Sequence, residues 1–141
     1  MIRQVILDTG PLVAFLHAGD QHHAWSRDIM ATIAPPLLTC EAVLSETTFL
    51  LAPWPKAIAK IGMLIQSGVI EVQSPMGTES SDVFKIMKRY SNVPMSFADA
   101  CLVSMSEQLP HSRLLTLDSD FEIYRRHRRK KIPLLAPWLP G

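Results

Sequence analysis

The stretch RLLTLDSDF, residues 113–121, decides how this chain is read. Its apolar run of Leu114, Leu115, Thr116 and Leu117 stops abruptly at Asp118 and Asp120. Near the N-terminus QVILDTG, residues 4–10, does the same: Val5, Ile6 and Leu7 run straight into Asp8. Short apolar, β-branched runs bounded by turn residues read as buried strands. A carboxylate at the end of such a strand is either turn punctuation, because Asp caps helices, or one part of a site.

Working outward, three more strands suggest themselves: PPLLTC at 35–40, GVIEVQ at 68–73 and the weaker KIPLLAP at 131–137. Helical stretches lie between them, at 10–18, 21–33, 40–51, 55–67, 80–90 and 97–109. Gly68 offers a C-terminal cap to the fourth of these, and Pro110 closes the last. Strands alternating with helices imply crossover connections and a parallel sheet covered on both faces, hence an α/β fold. In such a sheet every strand points the same way, so Asp8 and Asp118 fall on one carboxyl edge, where open α/β sheets bind ligands.

Composition sets the limits. The 141 residues fit one domain spanning 1–141, and 48% apolar with 19% charged residues is a globular balance. No apolar stretch is long enough to cross a membrane, and no basic segment followed by an apolar signal core opens the chain, so a cytoplasmic protein is expected. Cys40 and Cys101 form no paired motif and read as buried free thiols, with no ligand set for structural zinc. The net charge of +1 hides an asymmetry. Six of the fourteen Lys and Arg residues crowd into RRHRRKK at 125–131, leaving the rest of the chain about five charges negative. That run is either a solvated face or a phosphate-binding patch formed by Arg125, Arg126, Arg128, Arg129, Lys130 and Lys131.

Two further acids join the edge. In CEAVLSETTFLL, residues 40–51, Ala42, Val43, Phe49 and Leu50 lie three or four places from Glu46, which puts Glu46 within an apolar stripe. A carboxylate there costs desolvation energy unless it is partnered or snorkels to the stripe's edge. Glu41 lies off that face, as a first-turn residue favoured by the helix dipole. Asp99, in MSFADACLV, pairs with Ser96 as a capping box, and its helix runs antiparallel to the strands, so its N-terminal end reaches the same edge. Converging carboxylates repel one another without a cation. An oxygen-only donor set suits Mg²⁺ or Mn²⁺, which activates water and clamps a phosphate. The chemistry implied is metal-assisted phosphodiester hydrolysis.

ILDTGPLVAFL, EAVLSETTFLL, SFADACL and LLTLDSDF, in that order and spacing, resemble the PIN-domain nucleases, in particular the VapC-like toxins of prokaryotic toxin–antitoxin pairs. The resemblance covers essentially the whole chain. It implies a three-layer α/β/α fold with a central parallel β-sheet, an Mg²⁺- or Mn²⁺-dependent ribonuclease, a homodimer and a small antitoxin partner. Carried over by position, Asp8, Glu46, Asp99 and Asp118 match the four family acids that hold metal and act in catalysis. Asp120 lies beside Asp118 in a supporting position, as does Ser96. Thr9 and Thr116 match the hydroxyl positions that orient a carboxylate or a metal-bound water. Phe121 is expected to pack under the following helix. The basic run belongs to no family motif, so its RNA role rests on charge alone.

Rival readings carry less. An aspartyl-phosphate phosphatase also places two acids after an apolar strand, but LDSDF comes too near the C-terminal end for the later strands and Lys of that chemistry, and LDTGP lacks the second acid. A PIN-fold RNA-binding or RNA-processing protein without a toxin role keeps the fold without this activity. His22 and His23, adjacent on a helix, point apart and read as surface residues. Trp25, Trp54 and Trp138 read as packing or partner contacts before base-stacking platforms.

Overall fold

Val5–Leu7 forms β1, and all three side chains are buried because both faces of this strand are covered. The computed structural model describes residues 1–78 and 80–140. After β1 come α1 (Thr9–Leu16), α2 (His23–Met30), β2 (Leu37–Cys40), α3 (Glu41–Leu50), α4 (Pro55–Gln66) and β3 (Ile70–Gln73). The second half contributes α5 (Pro75–Thr78), α6 (Ser80–Arg89), α7 (Phe97–Gln108) and β4 (Arg113–Leu115). A 3-10 turn (Ser119–Glu122), a short hairpin of β5 (Arg125–Arg126) and β6 (Lys130–Lys131), and β7 (Leu134–Leu135) complete the chain.

Five strands form one sheet in the order β3-β2-β1-β4-β7, and every pairing is parallel. The chain winds outward from β1 through β2 to β3, then restarts on the other side with β4. The order therefore reverses between β1 and β4, at the topological switch point where α/β sheets present their ligand crevice.

Alternation along the strands divides the core. Val5, Leu7, Leu37 and Leu115 pack with Leu12 and Met30 of α1 and α2 on one face. Ile6, Leu38 and Leu114 pack with Ala98, Cys101, Leu102 and Met105 of α7 and Val83 and Ile86 of α6 on the other. This is the three-layer α/β/α arrangement. Each fully buried Leu or Ile contributes about 2 kcal/mol of apolar transfer free energy, so the two faces together dominate the stability. Cys40 and Cys101 are buried free thiols in the α7-side core. α4 ends through Ser67, and Gly68 follows at φ +82°, the left-handed cap position that glycine adopts without a Cβ clash. No helix among the described residues is long and apolar enough to cross a membrane.

Three local expectations need correction. The apolar stripe assigned to α3 is rotated. Its buried line is Val43, Thr47 and Leu51, while Phe49 and Leu50 stand 78% and 51% exposed. Thr47 enters that line because its hydroxyl bonds the Val43 carbonyl at 2.7 Å, which hides its polarity within the helix. Phe121 is 1% exposed but sits in the 3-10 turn, edge-on to Tyr124 at 5.1 Å, rather than under a following helix. The strand expected at 131–137 is confined to Leu134–Leu135, and Lys131 belongs instead to the hairpin formed by the basic run.

Candidate metal and catalytic site

The parallel register Leu7↔Leu115 carries Asp8 and Thr116 to adjacent places just past the ends of β1 and β4. There the two residues lock together. The Thr116 hydroxyl donates to Asp8 Oδ2 at 2.7 Å, and the Thr9 N–H donates to Asp8 Oδ1 at 2.7 Å. Asp8 is thus the N-cap of α1 as well as a site residue, so its capping and site roles coexist. Thr116 Oγ also accepts the Asp118 N–H at 2.9 Å, and Asp118 Oδ1 accepts the Asp120 N–H at 2.9 Å, capping the 3-10 turn. One threonine therefore fixes an acid from each of two strands.

Glu46 reaches this edge from α3. It is exposed, contrary to the apolar-stripe expectation, and its carboxylate accepts the Thr9 hydroxyl at 3.2 Å. What brings it in is that side-chain partner and the packing of α3 on α1, not burial. Glu41 points elsewhere and accepts the Ser74 hydroxyl at 2.8 Å. Asp99 lies in the first turn of α7, where Ser96 accepts its N–H at 3.0 Å as the N-cap. Asp120 is half-buried on the turn beyond Asp118, in a supporting position.

Electrostatics report a shared space. Asp8 is 6% exposed, and burial pushes its carboxyl up to about 7 against the pull of the Thr116 hydroxyl and the Thr9 N–H. The charges of Asp99 and Asp118 push the same way. Burial also raises Asp99, with the charge of Asp118 adding and the Tyr124 hydroxyl and Ser96 opposing. Asp8, Asp99 and Asp118 thus repel one another, and among the described residues no Lys or Arg lies within ion-pair distance of them or of Glu46. Equally, no three His, Cys, Asp or Glu side chains among the described residues close up into a ready chelate. That donor set fits Mg²⁺ or Mn²⁺, which bind through one or two carboxylates and retain waters, better than a tightly caged ion.

Two residues at this edge escaped the sequence reading. Tyr124 is fully buried, and its hydroxyl donates to Asp99 at 3.2 Å. It follows Phe121 by three residues, a spacing whose only signal was aromatic. Gly10 sits where a Cβ would meet the Leu117 side chain at 3.2 Å, so its bareness lets the first turn of α1 approach the loop that carries Asp118.

The basic run divides differently from its sequence. Arg126, expected to bind nucleic acid, is 7% exposed; its guanidinium donates to the carbonyls of Pro110 at 3.0 Å and Ser112 at 2.8 Å and to the Ser112 hydroxyl at 2.7 Å. It anchors the hairpin beyond the end of α7. The Arg125 guanidinium likewise turns onto the carbonyls of Glu122, Ile123 and Tyr124. Both were expected on a phosphate-binding patch, and backbone carbonyls without other donors claim them instead. Arg128, Arg129, Lys130 and Lys131 are exposed.

Comparison with known proteins fits this geometry. The family model of the PIN domain matches residues 5–126. Ribonuclease VapC26 of Mycobacterium tuberculosis is 26% identical over 125 residues, covering 87% of this chain and 88% of that protein. The crystal structure of Mycobacterium tuberculosis VapC20, described as a sarcin-ricin loop cleaving toxin, superposes with a TM-score of 0.76 at 22% identity, covering 84% of this chain and 93% of that one. VapBC2 from Rickettsia felis, bound to a DNA fragment from its promoter, superposes with a TM-score of 0.64 at 12% identity, over 96% and 98% of the two chains.

Proposed function

The chain belongs to the PIN-domain family, and on that footing we propose that it is a divalent-cation-dependent ribonuclease serving as the toxin of a toxin–antitoxin pair. The observation that carries the reading is the pinning of Asp8 by Thr9 and Thr116 at the switch point, with Asp99 and Asp118 facing it and no cation among the described side chains beside them. The relation to a VapC ribonuclease supports RNA as the substrate.

Asp8, Asp99 and Asp118 would hold the ion, with Glu46 beside them. A bound Mg²⁺ or Mn²⁺ there supplies an activated water and neutralises charge on the phosphate under attack. The protein's own part is positional. Thr116 and Thr9 orient the two Asp8 oxygens, Tyr124 and Ser96 hold Asp99, and the Thr9 hydroxyl steadies Glu46. Glu46, exposed at the rim, is placed to take a proton from water. Burial and mutual repulsion raise Asp8 and Asp99 above the usual carboxylate range, and a bound divalent cation would favour their charged form.

A small antitoxin protein and a homodimeric assembly complete the proposal. The likeness to a VapBC assembly supports the first. Phe49 and Leu50, exposed beside Glu46, offer apolar surface for a protein partner. The test is cleavage of RNA by the purified protein with Mg²⁺ or Mn²⁺ and with excess chelator. Undiminished cleavage in chelator would end the metal reading. No cleavage of any RNA with either ion would favour the RNA-binding alternative.

A further inference from the structure

A second charged feature lies outside the acids. Lys85, Lys88 and Arg89 stand at i, i+3 and i+4 on α6, on one helix face, and Arg128 faces them from the tip of the β5–β6 hairpin. These four line an open cleft of about 420 Å³, and among the described residues no hydrophobic side chain lines it. Like charges at this helical spacing repel. Among the described residues, no carboxylate lies within ion-pair distance of any of the four.

The hairpin holds its cation in place. Arg126 anchors it to the carbonyls beyond α7, and the Glu107 carboxylate accepts the His127 N–H at 2.6 Å. His127 and Arg128 take φ of 47° and 70°, a region that side-chain-bearing residues seldom adopt. A strained, anchored turn thus carries a fourth positive charge to three others.

The cleft also borders the acids. The Arg89 guanidinium lies 6.0 Å from the Tyr90 ring, which meets Tyr124 edge-on at 5.1 Å, and the Tyr124 hydroxyl donates to Asp99. One tyrosine pair separates the two regions.

We infer that this cleft grips the phosphodiester backbone of the RNA a few nucleotides from the scissile bond. The inference rests on the ribonuclease reading and adds the surface that holds the rest of the strand. Repeating phosphates match four cations in an open cleft. An amphipathic peptide would find only the aliphatic stems of the Lys and Arg side chains there, with no apolar side chain to anchor it. The charge run at 125–131 pointed to this region, but three of the four cations come from α6, and of the run only Arg128 lines the cleft.

The test is a titration of labelled oligouridylate at several salt concentrations, in an Asp8→Asn background so that the RNA survives. A triple variant changes Lys85, Lys88 and Arg128 to Gln; Arg89 is kept because it stacks on Tyr90. The expected slope of log affinity against log salt is shallower by about 2, with affinity at about 0.1 M salt lower by roughly tenfold. A control changes Arg3, Lys56 and Arg113 to Gln, removing the same charge elsewhere, and should leave the slope nearly intact. If the triple variant melts early, Lys88→Glu alone repeats the measurement and should weaken binding. Three results would overturn the inference: an unchanged slope, an equal change in the control, or a larger loss for duplex DNA of matched length than for RNA. Lost binding to polyglutamate with RNA binding intact would also overturn it and reassign the cleft to an acidic protein segment. Binding in this background needs no cleavage, so failure of the nuclease reading shows separately, in an intact chain that cuts nothing with either metal.

Discussion

Asp8 is buried with each oxygen fixed by its own donor, whereas Lys85, Lys88 and Arg128 stand in solvent with no carboxylate among the described residues in ion-pair distance. The difference follows from what each region is suited to do. A site that organises an ion and a reacting phosphate must hold its groups within fractions of an ångström, and burial with hydrogen bonds does that at a cost in stability. A surface that holds a polyanion gains from each charge roughly independently and needs little precision. One change should therefore disable the acid edge, while the cleft should lose affinity in increments.

The largest effect expected is at the acids. Asp8→Asn and Asp99→Asn should each lower RNA cleavage by about a thousandfold or more, since each removes charge from a proposed metal ligand at nearly constant shape. Asp99 also tests capping directly. Its own N–H is satisfied by Ser96, and a first-turn Asn is tolerated, so a purely structural Asp99 would leave a folded variant near parental activity. Glu41→Gln, whose carboxylate is bound to Ser74 away from the site, should leave the rate unchanged. Equal losses in Glu41→Gln and Asp99→Asn would erase the distinction between site and surface acids.

Next in size is a pH dependence confined to the acid edge. The folded-state value of Asp8, about 7, lies above the ordinary 3.8, so the folded protein binds this proton more tightly than the unfolded chain. The resulting stability is fully present below about pH 4 and is lost as pH rises through about 7, over a range of about 4 kcal/mol. Chelator-treated protein should therefore melt higher at pH 5.5 than at pH 8. Added Mg²⁺ or Mn²⁺ should close most of that gap, and Asp8→Asn should remove the larger part of it, with the raised Asp99 supplying the remainder. The measurement is a set of melting curves across pH with and without metal. A gap that survives undiminished in Asp8→Asn assigns the dependence to another group.

Within the basic run, Arg126 and Arg128 should part company. Arg126→Gln strands the carbonyls of Pro110 and Ser112 and should cost about 2 kcal/mol, read as a fall of roughly 6 °C in melting temperature. Arg128→Gln, on the exposed tip, should change stability by less than about 0.5 kcal/mol while weakening RNA. Denaturant titrations of the two single variants decide it. Equal destabilisation would make the tip structural too.

These contrasts also explain what could be read from the sequence. The strands, the sheet's direction and the edge carrying Asp8 and Asp118 were legible because apolar runs ending in acids encode both burial and direction. Glu46 and Asp99 were picked out by an apolar stripe and a capping box, and the Ser96 cap is present while the stripe is not. The face of α3 was misread because Thr47 hides its hydroxyl on the Val43 carbonyl and so passes as core, while Phe49 stays outside. The hairpin was missed because two-residue strands carry no periodicity, and the inward turn of Arg125 and Arg126 depends on carbonyls left free up to sixteen residues away in sequence. A charge count cannot tell a cation facing water from one serving the backbone. Lys85, Lys88 and Arg89 drew no notice in the sequence and acquire a role only once Arg128 is placed opposite them.

The smallest effect expected is at Tyr124, where the two regions meet. Its ring fills the space between Phe121 and Tyr90, and its hydroxyl donates to Asp99 at 3.2 Å. Tyr124→Phe keeps the ring contacts and removes only that donor. Ser96 still fixes the Asp99 backbone by accepting its N–H, so the residue keeps its place when the carboxylate loses this donor. Partners of metal ligands typically matter by tenfold to a hundredfold, and with Ser96 in place the lower end is expected: about tenfold more Mn²⁺ for half-maximal cleavage. At saturating Mn²⁺ the rate should return close to the parental value, because the tyrosine positions a ligand and touches no reacting atom. Metal binding without RNA, followed as the rise in melting temperature with Mn²⁺, should show the same weakening. A purely packing role predicts the reverse pattern: Tyr124→Phe, which keeps the ring, would match the parent in Mn²⁺ dependence, and only Tyr124→Ala would fail, through lost stability. A cleft that acts through phosphates alone should keep its salt slope in Tyr124→Phe, measured in the Asp8→Asn background, whereas a changed slope would mean that acids and cleft move as one unit.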